Sequence, residues 1–234
     1  MTSTDPASLE LRSLDVTIDQ RQVLRGIDLR ILPGELFVLL GGAGAGKSAL
    51  LRTIAGLDPV ATGELWLDER EITRTPAHRR RVAMMLQSFP LWPHMSVAKN
   101  LAFALRHQGL TRKVIRARVE RELAAVGLGD FYNHLPAQLM PGQQQRVALA
   151  RTLINGFPVK LLDEPFSAQE ARLRERLLRV LKQRQQQSMA TTLLATQDRS
   201  EALRVADRIA LIHDGELQQV GTPVELYDTP RNRY

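Results

Sequence analysis

Nine consecutive positions, Gly41-Gly42-Ala43-Gly44-Ala45-Gly46-Lys47-Ser48-Ala49, put four glycines, an amine and a hydroxyl in one short loop. Glycines let backbone N–H groups curl around phosphate oxygens without interference from side chains. A helix that starts where such a loop ends adds positive potential, and a lysine there reaches the terminal phosphates. The Ser48 hydroxyl suits Mg2+. A glycine-rich turn arising by chance is the bland alternative. It is disfavoured because an unalternating apolar run, ELFVLL at 35–40, precedes the loop and a helical pattern, SALLRTIAGL, follows it.

A second constellation lies at VKLLDEP, where a buried-type strand ends in two acids, Asp163 and Glu164. A carboxylate there can hold a metal through water, and its neighbour can activate an attacking water. Strand-end acids are common, so this segment gains force only beside the phosphate loop.

The elements that must position these groups follow from periodicity. Residues 9–31 alternate: Leu14, Val16 and Ile18 share one parity, and Ile27, Leu29 and Ile31 share the other, which predicts an antiparallel pair. Further strands are predicted at GELWLD, RVAMMLQ, VKLLDEP, ATTLLAT and RIALIHDG. Residues 95–156 read as mostly helical, with Ile115, Val119, Leu123 and Val126 at helical spacing. A helix is expected at about 169–186 and a short one around Glu201, while Asp214-Gly215 signals a hairpin. Alternating strands and helices imply an α/β fold with a mainly parallel sheet.

Composition sets the outer bounds. The 234 residues are 44% hydrophobic and 24% charged, as in an ordinary soluble globular protein with a sizeable core. The absence of cysteine excludes disulfide scaffolds and thiolate metal sites. The N-terminus carries no basic-then-apolar signal, and no apolar run approaches the ~20 residues a membrane span needs. The net charge of +7 gathers in HRRRVAMM and ARLRERLLRVLKQRQQQ. Nucleic acid or an anionic membrane surface is one reading of such clusters. A solvated basic face around the stripe Leu173, Leu177, Val180 and Leu181 is the favoured one, because no nucleic-acid motif accompanies them. The five histidines show no metal-ligand spacing.

The phosphate loop, MMLQSFPLWPHMSVAKNLAF, GQQQRVALAR, LLDEPFSA and TTLLATQDRSEAL stand in the order seen in ATP-binding-cassette (ABC) ATPases. The chain resembles that family over nearly its whole length, and most of all the ATPase subunits of bacterial importers for polyamines, iron(III), sulfate and oligosaccharides. The resemblance implies a P-loop NTPase fold with an N-terminal antiparallel β subdomain and a helical insertion. That makes a single domain over 1–234, with the core at 1–87 and 146–234, the helical part at 88–145, and no C-terminal regulatory domain after Tyr234. It implies ATP and Mg2+ bound by residues 41–49, with Ser48, Gln87 and Asp163 toward the metal and Lys47, Gln87, Glu164 and Gln197 in catalysis. It also implies membrane permease subunits as partners, a second ABC chain in a homo- or heterodimer, a periplasmic binding protein indirectly, and no nucleic acid. The location implied is peripheral, at the cytoplasmic face of the inner membrane. SFPLWPHM is expected near the permease, with Trp92 equally readable as a core aromatic.

Four positions depart from the family pattern. The signature loop, normally Leu-Ser-Gly-Gly-Gln and directed at the partner chain's ATP, reads Leu139-Met140-Pro141-Gly142-Gln143. Met140 has no hydroxyl and Pro141 has no N–H, although proline suits a first helical turn. The switch histidine is replaced by Gln197, which donates a hydrogen bond but carries no proton charge. The adenine-stacking aromatic is replaced by Ile18. The Ser-Ala-Leu-Asp loop reads Ser167-Ala168-Gln169-Glu170, a mild change. The expectation is a chain that binds MgATP and turns it over slowly, or only beside an intact partner. A nucleotide-binding regulatory protein without useful hydrolysis is the alternative, and an ABC ATPase acting on DNA or ribosomes ranks below it.

Overall fold

A computed structural model of the protein describes residues 6–231. The N-terminal stretch 1–5 of the signal-free reading and the chain end at Tyr234 lie outside the described residues. Two sheets form. The first is antiparallel, in the order β2 (Arg21–Ile31), β1 (Leu9–Ile18), β4 (Thr62–Leu67), β5 (Arg70–Glu71). The second has the order β10 (Glu216–Gly221), β9 (Arg208–His213), β3 (Leu36–Leu40), β8 (Thr191–Thr196), β7 (Val159–Asp163), β6 (Val82–Met85). All its neighbours pair parallel except the β9–β10 hairpin, which turns at Asp214 and Gly215 with φ of 47° and 80°. Those positive angles are what a two-residue hairpin of right-handed twist requires.

The parallel sheet is buried on both faces, which is why ELFVLL does not alternate. Leu36 and Val38 face a core shared with the helices, while Phe37 and Leu39 face a second core shared with the antiparallel sheet. In β1 the inward residues switch from Leu9 and Leu11 to Leu14 and Val16, all essentially inaccessible. Between them the register goes from Leu11↔Leu29 to Leu14↔Ile27, so β1 holds one extra residue, absorbed where Ser13 adopts φ 44°. The alternation predicted from parity is present on both sides of this bulge.

Seven α-helices complete the described chain: α1 (Lys47–Ala55), α2 (Val97–Phe103), α3 (Arg112–Ala125), α4 (Pro141–Leu153), α5 (Ala171–Ser188), α6 (Arg199–Val205) and α7 (Pro223–Asp228). α4 passes residue 145 unbroken, so the expected limit of the helical part falls inside a helix. β5 and α7 were not expected from periodicity: two residues are too few to show a period, and the six-residue α7 is started by a Thr222/Glu225 capping box with Pro223 at its first position. No helix among the described residues is long and apolar enough to cross a membrane.

The solvated basic face needs correction at three arginines. Arg80 is buried, and its guanidinium donates to the carbonyls of Thr53, Ile54, Thr73 and Thr75, closing the C-terminal end of α1. Arg174 pairs with Asp198 on the α5–α6 side, and Arg184 pairs with the buried Glu122 of α3 at 2.9 Å. A guanidinium has five donors, so it can satisfy converging helix-end carbonyls that would otherwise be stranded.

Candidate functional site

The residues predicted to do chemistry meet at the C-terminal ends of β3 and β7. The strand β3 delivers the loop 41–46, which closes on Lys47, the first residue of α1. Gly41 lies so close to β9 that a Cβ there would sit 2.4 Å from the Ile212 carbonyl oxygen. Gly46 holds φ 102°, a left-handed conformation that turns the chain into the helix. Gly42, Ala43 and Gly44 are exposed, whereas Ala45 and Ala49 are buried and anchor the loop to the core.

Lys47 is only 6% exposed and folds back, its Nζ donating to the carbonyls of Gly41 at 2.8 Å and Gly42 at 2.9 Å. Its amine also lies 3.6 Å from Glu164 Oε1. Ser48 Oγ donates to Asp163 Oδ1 at 3.0 Å. These two oxygens are hard donors of the kind Mg2+ takes, one or two from protein and the rest from water and phosphate. Gln87, exposed in the turn after β6, adds an amide oxygen at the same end of the sheet, since β6 runs parallel to β7 with Met85 beside Leu162.

Burial raises the Asp163 carboxyl above the usual carboxylate range, with the Ser48 hydroxyl, Lys47 and Arg52 pulling the other way. Burial likewise raises Glu164, against the attraction of Lys47. A carboxyl lifted toward neutrality is a better proton acceptor at working pH than an ordinary one. Glu164 also holds φ 47°, uncommon for a residue with a side chain. Its N–H donates to the Ala195 carbonyl at 3.0 Å, and its carboxylate accepts from the main-chain N–H of Gln197. The Gln197 side chain is exposed and shares the wall of a 420 Å³ cavity with Gly41, Gly42 and Arg199.

Other predicted residues stand apart from this cluster. Ile18 ends β1, half-buried against the antiparallel sheet's core and paired with Arg21. Met140, 67% exposed, is the extended N-cap of α4 (φ −66°, ψ 154°), and Pro141 occupies its first turn. This is the extended backbone that a following proline imposes. Gln143 turns back onto its own helix, accepting from the Met140 N–H at 2.8 Å. Gly142 packs on the loop after Glu164, its carbonyl accepting from Gln169 at 2.9 Å. Trp92 is half-buried and belongs to neither core cluster. Its ring is tilted by 50° against Phe103 with centroids 4.4 Å apart, lies under the Arg151 guanidinium and lines an open cavity of 620 Å³.

Gln145 carries no signal in the sequence, and Gln169 stands out there only as a change in the loop after Glu164. Gln145 is fully buried behind Glu164, and Gln169, read as a mild departure, is 6% exposed and bonded to it. Nothing in a run of three glutamines marks the third as buried, except that it lies about one helical turn from Pro141 on the apolar side.

Comparison with known proteins agrees with this geometry. The ABC transporter family model matches residues 24–167. The chain is 42% identical over 233 residues to the spermidine/putrescine import ATP-binding protein PotA of Pseudomonas fluorescens, covering 98% of this chain and 64% of that protein. It is 44% identical over 208 residues to the sulfate/thiosulfate import ATP-binding protein CysA of Mycobacterium tuberculosis, covering 89% and 59%. It is 41% identical over 234 residues to the Fe(3+) ions import ATP-binding protein FbpC 1 of Rhizobium meliloti, covering 100% and 66%. The chain thus spans less than two thirds of the length of these curated relatives. Among solved structures, the dimeric bacterial ABC transporter cassette MJ0796 superposes with a TM-score of 0.84 at 29% identity, over 92% of this chain and 98% of that one. A post-hydrolysis dimer of the same cassette, bound to ADP and Pi, gives 0.83 at 28% identity. A phosphate loop, a strand-end acid pair and a fold shared over nearly the whole length lead to one assignment: this chain belongs to the ABC transporter family.

Proposed function

We propose that the chain is the ATP-binding, ATP-hydrolysing subunit that energises a membrane solute importer, and that it turns over slowly. The observation that carries this reading is the convergence of Lys47, Ser48, Asp163 and Glu164 at one end of the parallel sheet. The loop 41–46 cradles the phosphates with its N–H groups, and Lys47 exchanges the carbonyls of Gly41 and Gly42 for the terminal phosphates. Ser48, Asp163 and Gln87 would hold Mg2+, which would neutralise phosphate charge. Glu164 takes the proton of the attacking water, and the Gln197 amide donates toward the transferred phosphoryl group.

Met140, Gly142 and Gln143 face the nucleotide of a second ABC chain, where the missing hydroxyl and N–H weaken the grip. Removing one transition-state donor costs about 10²–10³ in rate. Ile18 in place of an aromatic forfeits about 1–3 kcal/mol of base stacking. The partners are permease subunits at the cytoplasmic face of the inner membrane, with a periplasmic binding protein acting at a distance. Nucleotide binding and hydrolysis measured on one preparation, beside a Lys47→Ala control, test the reading. Magnesium-dependent ATP binding with turnover well below that of an importer cassette with an intact signature loop supports it. The absence of binding defeats it, and turnover equal to such a cassette removes the claim of slowness. Copurification with a permease, as opposed to nucleic acid, tests the partner.

A further inference from the structure

Behind the acid pair, two glutamines form a closed relay. Gln145, on α4, is fully buried and has all four of its amide hydrogen-bonding positions filled. Its Nε2 donates to the Glu164 carbonyl at 3.1 Å and to Ser167 Oγ at 3.0 Å. Its Oε1 accepts from the Ala168 N–H at 3.1 Å and from Gln169 Nε2 at 2.7 Å. The second N–H of Gln169 reaches the Gly142 carbonyl in the first turn of α4, at 2.9 Å. Contact is tight there, since a Cβ on Gly142 would lie 2.9 Å from the Ala168 carbonyl oxygen.

These bonds converge on a residue whose backbone is strained. A side-chain-bearing residue at positive φ costs on the order of 1–3 kcal/mol and persists only where its surroundings hold it. Around Glu164 the holding groups are Ala195, Ser167 and Gln145, and Gln145 is itself held by Gln169. We infer that Gln169 is a positioning residue: through Gln145 it fixes the main chain of Glu164, and so aims the carboxylate facing Lys47, and it makes that aim depend on where the exposed first turn of α4 sits. A buried amide that donates twice is an expensive way to fill a space a leucine or methionine would fill. The two bonds are therefore its use.

The aiming of Glu164 for hydrolysis rests on the function proposed above, so the test has one arm that needs no nucleotide. Gln169→Met keeps the volume and removes both donors; Gln169→Glu, which keeps the shape and offers acceptors in place of both donors, is the second variant should the first fail to fold. In the full chain without nucleotide, hydrogen exchange of the amides in 164–168 is expected to quicken severalfold, because the Gln145 Oε1 that accepts from the Ala168 N–H, and the Glu164 carbonyl that accepts from the Ser167 N–H, are held less firmly once Gln169 no longer donates to Gln145. Turnover is expected to fall about tenfold, with the dissociation constant for MgATP within twofold, as misplacing a catalytic group by a fraction of an ångström does. A space-filling role would leave Gln169→Met like the parent in both arms. Unchanged exchange, or binding and turnover lost in equal measure, overturns the inference. If the parent shows no turnover above Lys47→Ala, the functional reading fails, while exchange still decides whether Gln169 holds the Glu164 loop.

Discussion

The Ser48 hydroxyl donates to the Asp163 carboxylate across 3.0 Å, joining the first turn of α1 to the last residue of β7 from 115 positions away. In the proposed function these two oxygens, beside the phosphate loop, would hold a divalent ion. Asp163→Asn keeps an oxygen for Ser48 but removes the charge. ATP affinity is then expected to become nearly independent of magnesium, falling about tenfold or more only when the ion is present. Calorimetric titration with and without Mg2+ checks this, and an undiminished magnesium effect contradicts it.

Lys47 holds two loop carbonyls and faces Glu164. Charge-assisted hydrogen bonds contribute about 1.5–3 kcal/mol, so Lys47→Ala is expected to weaken MgATP binding about 10- to 100-fold. Equal affinity in the two proteins would remove Lys47 from the phosphate site.

In the proposed function Glu164 takes the proton of the attacking water. Glu164→Gln is expected to leave nucleotide binding within a few-fold and to lower turnover by about 10²–10⁴. Because burial raises its pKa, the base is lost to protonation at higher pH than an ordinary glutamate would be. The acid limb of the kcat/KM profile is thus expected above the usual carboxylate range. A limb near the unperturbed value of 4.5 would assign it to another group.

In the proposed function Met140 and Pro141 lower activity while leaving intact the helix they begin. The double substitution Met140→Ser, Pro141→Gly is expected to raise kcat at least tenfold, since it returns one hydroxyl and one N–H donor. It is also expected to lower the melting temperature slightly, because glycine enlarges the unfolded ensemble that proline restricts. A gain in stability, or no gain in kcat, would contradict the cost assigned to these residues.

Lys160 makes a prediction about stability. It is 1% exposed on β7, its Nζ donating to the Leu153 carbonyl, and burial lowers its pKa from 10.5 to about 8. Between those two pH values the unfolded chain binds the proton and the folded chain does not, so stability contributed here rises with pH. At pH 7 the buried charge is a burden, and Lys160→Met is expected to stabilise by on the order of 1–3 kcal/mol. That advantage is expected to shrink as pH rises from 8 toward 10. Thermal melts of both proteins at pH 7 and 9.5 read the difference, and parallel pH dependence refutes it.

Most strands along the chain, the phosphate loop, the acid pair and the hairpin at Asp214-Gly215 were legible, because each is written in neighbouring residues; the two-residue β5 and the order of strands within each sheet were not. Alternation reports a half-buried sheet and an unbroken apolar run reports a central one. Glycine in a loop reports a backbone that must approach something closely. No local pattern could place Arg80 at the end of α1, nor Gln145 and Gln169 behind Glu164, nor Glu122 against Arg184. Those partners lie tens of residues apart, and a polar side chain looks the same in the sequence whether water or a buried carbonyl satisfies it. Packing alone determines which, because burial removes the water and leaves the hydrogen bond as the only way to avoid the desolvation cost.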